Sequence, residues 1–368
     1  MRNKQVLEEM TPYKPGKQID EVKKEYGLSR IVKLASNENP YGHSEHVDTY
    51  LAQAAIGYHF YPDGYTSELR KTVAKKWNVS ESQLLFGNGT DEIIQMISRA
   101  FLYPGVNTVM ATPTFPQYKH GAQIEGAEVE EIPLINGAHD LDGILEAIDD
   151  KTNIVWLCSP NNPTGCVIPR DDFYAFMDKC PSDVLVVLDE AYFEYVSGDV
   201  QPNVLDYLDN YDNLIVLRTF SKVYGLAGLR VGYGIANEPL IRRLDVVRGP
   251  FNTSSLAQKA ASVAIGDDRF VEQSVSRNHA VKQSFEQFLD SIDWHYFESH
   301  TNFLLISTPV SGERTFRHLL ENGFIVRAGE GIGVPNTIRV TIGNEADMEQ
   351  LKEILHQMHL KLEKGQSL

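Results

Sequence analysis

Between Val79 and Ala236 short apolar runs bounded by turn signals alternate with amphipathic stretches, the pattern of a parallel β-sheet assembled from β–α–β units. Two of the runs, VLVVLD at 184–189 and NLIVLR at 213–218, are almost unbroken in apolar residues, as strands covered by helices on both faces must be. Strands are expected at Asn107–Ala111, Asn153–Cys158, Val184–Leu188, Leu214–Leu217 and Arg230–Ile235. Such a sheet fixes where function can lie, because open α/β folds bind ligands at the carboxyl edge of their strands.

The chain has 368 residues, more than one hydrophobic core usually serves, so a second, smaller unit is expected. The texture changes after Phe251: a long helix near Arg269–Ser291 precedes apolar strands at Asn302–Ser307, Phe324–Arg327 and Ile338–Ile342, interleaved with helices. The expected division is an arm over 1–40, a large domain over 41–250 and a small C-terminal α/β domain over 251–368. The arm, rich in Pro, Gly and charge around TPYKPGK, is expected to pack on the large domain or on a partner, with the arm and 41–60 both free to join either unit.

Lys and Arg number 34 against 50 Asp and Glu, a formal net charge of −16 that repels nucleic acid and anionic membranes. Neither partner is expected. Cys158, Cys166 and Cys180 form no CxxC pair and no disulfide framework, so no metal is expected and a reducing compartment fits best. The opening MRNKQVLEEM lacks an apolar leader and no long apolar run follows it, which places the protein in the cytoplasm as an expectation.

Four segments at expected strand ends carry chemistry. Arg218-Thr219-Phe220-Ser221-Lys222 puts a lysine just past a buried strand, where desolvation lets an amine lose its proton and attack an aldehyde. Gly225 and Gly228 let the chain turn back so that Arg230 approaches the same point. A surface lysine in a loop is the bland alternative. Asp189 closes an apolar strand and calls for a buried cation, which a protonated pyridine ring would supply; strand-end carboxylates also bind metals or cap helices. The turn Ser159-Pro160-Asn161-Asn162-Pro163-Thr164-Gly165 can aim the Asn162 amide over the sheet edge, or be a turn and nothing more. Gly87-Asn88-Gly89-Thr90-Asp91-Glu92 enters an amphipathic helix with Ile93, Met96, Ile97 and Ala100 on one face. Helix-start glycines let N–H groups converge on a phosphate, although acids there also favour a helix start without any ligand. GNGTDE lacks GxGxxG spacing, which counts against a dinucleotide site.

The ordered motifs N-N-P-T-G, D-E-A-Y and S-K-x-Y-G-L-A-G-L-R resemble the fold-type I pyridoxal 5'-phosphate (PLP) aminotransferases, and within them the histidinol-phosphate branch most closely. Further matching landmarks are Tyr13 in TPYKPGK, KLASNENPYG at 33–42, Tyr61 in YPD, Pro113-Thr114-Phe115, Thr301-Asn302-Phe303 and the arginines of IVRAG and IRVTIG. His43 and Thr90 depart slightly from the family pattern, and Thr90 keeps the hydroxyl of a common serine.

The resemblance implies a mainly parallel seven-stranded sheet in the large domain and a homodimer with shared active sites. It implies that Lys222 is the Schiff-base lysine, that Asp189 pairs with the pyridine nitrogen, that Asn162 and Tyr192 hold the ring's phenolate oxygen, and that Phe115 stacks on the ring. Gly89, Thr90 and Asp91 at the helix start, with Thr219, Ser221 and Arg230, would hold the phosphate, joined by Tyr61 from the other subunit. Tyr13, Asn37, Asn302, Arg327 and Arg339 would bind the substrate. The expected reaction moves an amino group from histidinol phosphate to 2-oxoglutarate. Aromatic amino-acid transaminases and threonine-phosphate decarboxylases share most of these landmarks.

Overall fold

The computed structural model describes residues 3–12, 17–198 and 200–366. Its strands are β1 (Val32–Lys33), β2 (Leu84–Gly87), β3 (Asn107–Thr112), β4 (Glu128–Pro133), β5 (Thr152–Cys158), β6 (Leu185–Asp189), β7 (Leu214–Thr219), β8 (Gly232–Ala236), β9 (Phe303–Ser307), β10 (Phe324–Ile325), β11 (Arg327–Ala328) and β12 (Thr337–Thr341). A seven-stranded sheet runs in the order β2-β8-β7-β6-β5-β3-β4.

Neighbours from β7 through β4 are parallel, whereas β8 is antiparallel to both β7 and β2. The reversal has a simple cause. Parallel strands need a long crossover, but the chain between β7 and β8 holds only one short 3-10 turn at Ala227–Leu229, so it doubles back on itself. This return brings Arg230 to the edge where β7 ends.

Side chains alternate between two cores, as a doubly covered sheet requires. Val186, Leu188, Leu214 and Val216 join the core beneath the helices Ser67–Trp77, Arg170–Lys179 and Ser255–Ala264. Val187, Ile215, Leu217 and Trp156 join the other core, under the helices Gly89–Phe101, Gln117–Glu125 and Glu238–Asp245. Ile93, Met96 and Ile97 are buried there as their helical spacing predicts, with Ala100 packed partly alongside.

The C-terminal unit holds the antiparallel sheet β11-β12-β9 and the expected long helix, at Asp268–Ser291. The single strand expected over Phe324–Arg327 is in fact two strands in two sheets: β10 pairs parallel with β1, while β11 pairs antiparallel with β12. The arm does touch the large unit, with Lys4 on Glu125 at 3.1 Å. In its later part Val22 and Ala35 share a core with Leu320 and Ile325 of the C-terminal unit. The parallel pairing of β1 with β10 ties this part of the arm to the C-terminal unit.

Candidate active site

Every parallel strand of the large sheet ends on the same side, so the loops after β2, β3, β5, β6 and β7 meet there. Asp189 is the last residue of β6 and only 2% exposed. Its Oδ1 accepts the Ala191 N–H at 3.1 Å and its Oδ2 accepts the Tyr118 hydroxyl at 2.7 Å. Burial pushes its carboxyl up to about 6 even though both hydrogen bonds pull it down. Among the described residues no Lys, Arg or His forms an ion pair with it.

Lys222 lies three residues beyond the end of β7. Its Nζ donates to the Ser36 carbonyl at 3.2 Å and stands 5.6 Å from the Tyr192 ring centre. Burial, reinforced by the positive charge of Arg339, lowers the amine from 10.5 to about 8. An amine with such a value is partly unprotonated near neutral pH, the state in which it can add to a carbonyl.

A cradle forms at the start of the helix Gly89–Phe101. The Arg230 Nη1 donates to the Ser221 hydroxyl at 3.3 Å, Nη2 lies 3.2 Å from the Asp91 carboxylate, and the Thr219 hydroxyl donates to Ser221 at 3.0 Å. Gly89 adopts φ +72°, and a Cβ there would lie 2.5 Å from Arg230 Nη2. Gly225 is required for space: at φ +70°, its Cβ would lie 1.8 Å from the Gly42 carbonyl oxygen. Gly228, expected to serve the same turn, has open space around it and an ordinary φ.

On the other side, Arg339 donates to Asn162 Oδ1 at 2.5 Å and to the Ala35 carbonyl at 2.8 Å. Arg327 faces Arg339 across the β11/β12 pair. Asn37 takes φ 57°, donates to the Tyr192 hydroxyl at 2.8 Å, and accepts from Asn302 through its backbone carbonyl at 3.0 Å. The segment Ala35-Ser36-Asn37 thus ties Arg339, Lys222 and Tyr192 together. Phe115 stands edge-on to Tyr118, 5.6 Å between ring centres.

One expected residue stands apart from this cluster. Tyr61 is 82% exposed and stacks on Phe251, ring centres 4.8 Å apart. Tyr13 lies outside the described residues. Two buried features escaped sequence reasoning. Tyr118 has no motif around it. The Arg218–Glu190 ion pair, 2.8 Å long with both side chains almost fully buried, braces β7 against the loop after β6. Its signal was present, since opposite charges border two adjacent runs too apolar to be solvated.

The pyridine-aldehyde phosphate expected from the resemblance fits this arrangement on three counts. Asp189 offers a buried carboxylate with no cationic side chain paired to it among the described residues. The Gly89 cradle presents a guanidinium and two hydroxyls where a side chain on Gly89 would intrude. The Lys222 amine donates to a backbone carbonyl and lies 5.6 Å from the Tyr192 ring centre. A cleft of about 840 Å³ lined by Gly137, Thr164, Cys166, Phe297 and His300 includes none of these groups.

Comparison with known proteins adds family and name-level evidence. The model of the family "Aminotransferase class I and II" matches residues 29–356. The histidinol-phosphate aminotransferase 2 of Oceanobacillus iheyensis is 53% identical over 98% of this chain and 100% of its own length. The histidinol-phosphate aminotransferase of Bacillus subtilis is 52% identical over 96% of this chain and 99% of its own. The crystal structure of histidinol-phosphate aminotransferase from Sinorhizobium meliloti in complex with pyridoxal-5'-phosphate superposes with a TM-score of 0.89 at 24% identity, covering 98% of each chain. At that identity the likeness speaks for the fold.

Proposed function

The chain belongs to the class I and II aminotransferases, and on that premise we propose that it uses PLP held by Lys222 to transfer the amino group of histidinol phosphate to 2-oxoglutarate. It is an aminotransferase acting on an amino compound and a keto acid. The donor assignment is carried by one observation: full-length relatives more than half identical to this chain bear the name histidinol-phosphate aminotransferase. The relatives do not favour the aromatic amino-acid or decarboxylase readings.

When bound, the cofactor supplies an aldehyde that amines add to and a protonated ring that accepts an electron pair. The chain's residues do the rest. Asp189 holds a negative charge in a buried setting, where a cationic ring nitrogen is its natural partner. Lys222, its amine brought down to about 8, can take a proton from the substrate carbon and return it at the neighbouring position. Asn162, bonded to Arg339, and Tyr192, near Lys222, would orient the ring from its oxygen side. Arg230, Ser221, Thr219 and the helix start would hold the phosphate. Arg339, facing Arg327, would take the anionic end of either substrate, since a guanidinium binds carboxylate or phosphate in a two-point fashion. Tyr13 is proposed as a further contact to the donor.

The working unit proposed is a two-fold homodimer in which Tyr61 reaches the phosphate held by the other chain. Tyr58, Phe60, Tyr61, Tyr65, Val246 and Phe251 are exposed apolar side chains, and Tyr61 stacks on Phe251; such residues are suited to burial against a second copy. The expected boundaries at 40 and 250 are retained as a proposal, with β1 contributing to the C-terminal unit. A panel of amino donors with 2-oxoglutarate as acceptor tests the function. Histidinol phosphate is expected to have the highest kcat/KM, and a clear preference for phenylalanine or tyrosine would overturn the donor while leaving the aminotransferase.

A further inference from the structure

Tyr118 lies behind Asp189 and belongs to none of the motifs that define the site. It sits in the first turn of the helix Gln117–Glu125, fully buried, with its ring stacked on Trp156 at 4.7 Å and an interplanar angle of 12°. Trp156 is itself anchored: its Nε1 donates to the Thr108 hydroxyl at 2.9 Å, and Thr108 donates to the Ile154 carbonyl at 2.8 Å. The Tyr118 ring therefore has little freedom to rotate away. Its hydroxyl donates to Asp189 Oδ2 at 2.7 Å, the length of a charge-assisted bond.

We propose that Tyr118 is a positioning residue for the reaction, clamped through Trp156 and Thr108, whose hydroxyl fixes the rotation of the Asp189 carboxylate and keeps it charged toward the cofactor ring. The inference rests on the reading that Asp189 faces that ring.

The charged and titratable groups around Asp189 are few. Tyr118 approaches from its helix, Cys158 from β5, Asp91 from the helix Gly89–Phe101, and Glu190 and Tyr192 from the loop after β6. Asp91 and Glu190 push the carboxyl up, burial pushes it further, and the described donors that pull it down are Tyr118 and the Ala191 N–H. Burial also raises the Tyr118 hydroxyl well above 10 and the Cys158 thiol to about 12, so both keep their protons while Asp189 titrates. Deleting the Tyr118 hydroxyl removes one of two stabilising hydrogen bonds and leaves the ring stack intact.

The test compares wild type with Tyr118→Phe, Trp156→Phe and Asp189→Asn. In the cofactor-free protein, carbon NMR of the labelled aspartate carboxyls, with Asp189 assigned by its loss in Asp189→Asn, reads the titration directly. The Asp189 midpoint is expected to rise by about one pH unit in Tyr118→Phe, the scale of one lost hydrogen bond to a charged group. Trp156→Phe, which loosens the clamp but spares the hydroxyl, should shift it in the same direction by less. The PLP dissociation constant at pH 7 is expected to rise several-fold in Tyr118→Phe, with the thermal midpoint within a few degrees of wild type. An unmoved Asp189 midpoint and unmoved PLP affinity in Tyr118→Phe would overturn the inference. If Asp189→Asn itself binds PLP and turns over normally, the underlying reading of Asp189 fails instead.

Discussion

Gly89→Ala is the sharpest single perturbation of the phosphate cradle. Gly89 sits at φ +72°, where an alanine costs about 1 kcal/mol of backbone strain. The added Cβ would fall 2.5 Å from Arg230 Nη2, and since the guanidinium is the far end of a flexible side chain, Arg230 yields rather than the backbone. Yielding loses the 3.3 Å bond to Ser221 and the 3.2 Å pair with Asp91, whose partners are 45% and 44% exposed, so the stability lost there is small. The thermal midpoint should fall by only about 2–4 °C. PLP affinity should suffer more, because a charge-assisted contact to phosphate is worth about 1.5–3 kcal/mol, or roughly ten- to a hundredfold in Kd. Fluorescence titration of the cofactor-free protein with PLP, beside thermal melts, measures both. Gly27→Ala is the control: Gly27 has a similar φ of +66° with no atom near its Cβ, so it should show the thermal loss alone. Equal PLP affinity in Gly89→Ala and Gly27→Ala would refute the cradle.

Lys222→Met should stabilise the cofactor-free protein at pH 7. The folded amine titrates at about 8 against an ordinary 10.5, so the full cost of burying its charge is present below pH 8 and disappears as pH rises toward 10.5; a pH-independent difference in melts would contradict this. Glu190→Gln should lower stability to urea by about 3–5 kcal/mol by stranding Arg218, and adding Arg218→Met should recover part of it. A mixed dimer of Lys222→Ala and Tyr61→Ala chains, purified through two tags, should regain activity because one of its two sites has both residues intact. Activity no higher than either parent, with a double mutant paired to wild type active, would place Tyr61 within its own chain.

The large sheet was legible because β5, β6 and β7 are nearly continuous apolar runs, and the residues at their ends inherit a common edge. Lys222, Asp189, Asn162 and Arg230 were expected at that edge for this reason, and Arg339 was a candidate through the resemblance alone. Edge strand β4 was not named. Glu128, Glu130 and Glu131 lie exposed along it, so its pattern carries no apolar face to recognise. The division between β10 and β11 was hidden too, since Phe324–Arg327 has one continuous propensity and only tertiary pairing tells its halves apart. Tyr118 reaches Asp189 from 71 residues away, through a fold that no local window contains.

Trapping reads out whether Lys222 carries the cofactor. The protein is loaded with PLP, reduced with borohydride, digested and mapped by mass. A pyridoxyl group is expected on the peptide containing Lys222, with the other lysines unmodified at one equivalent of cofactor. A pyridoxyl group on another lysine, with Lys222 untouched, would contradict it.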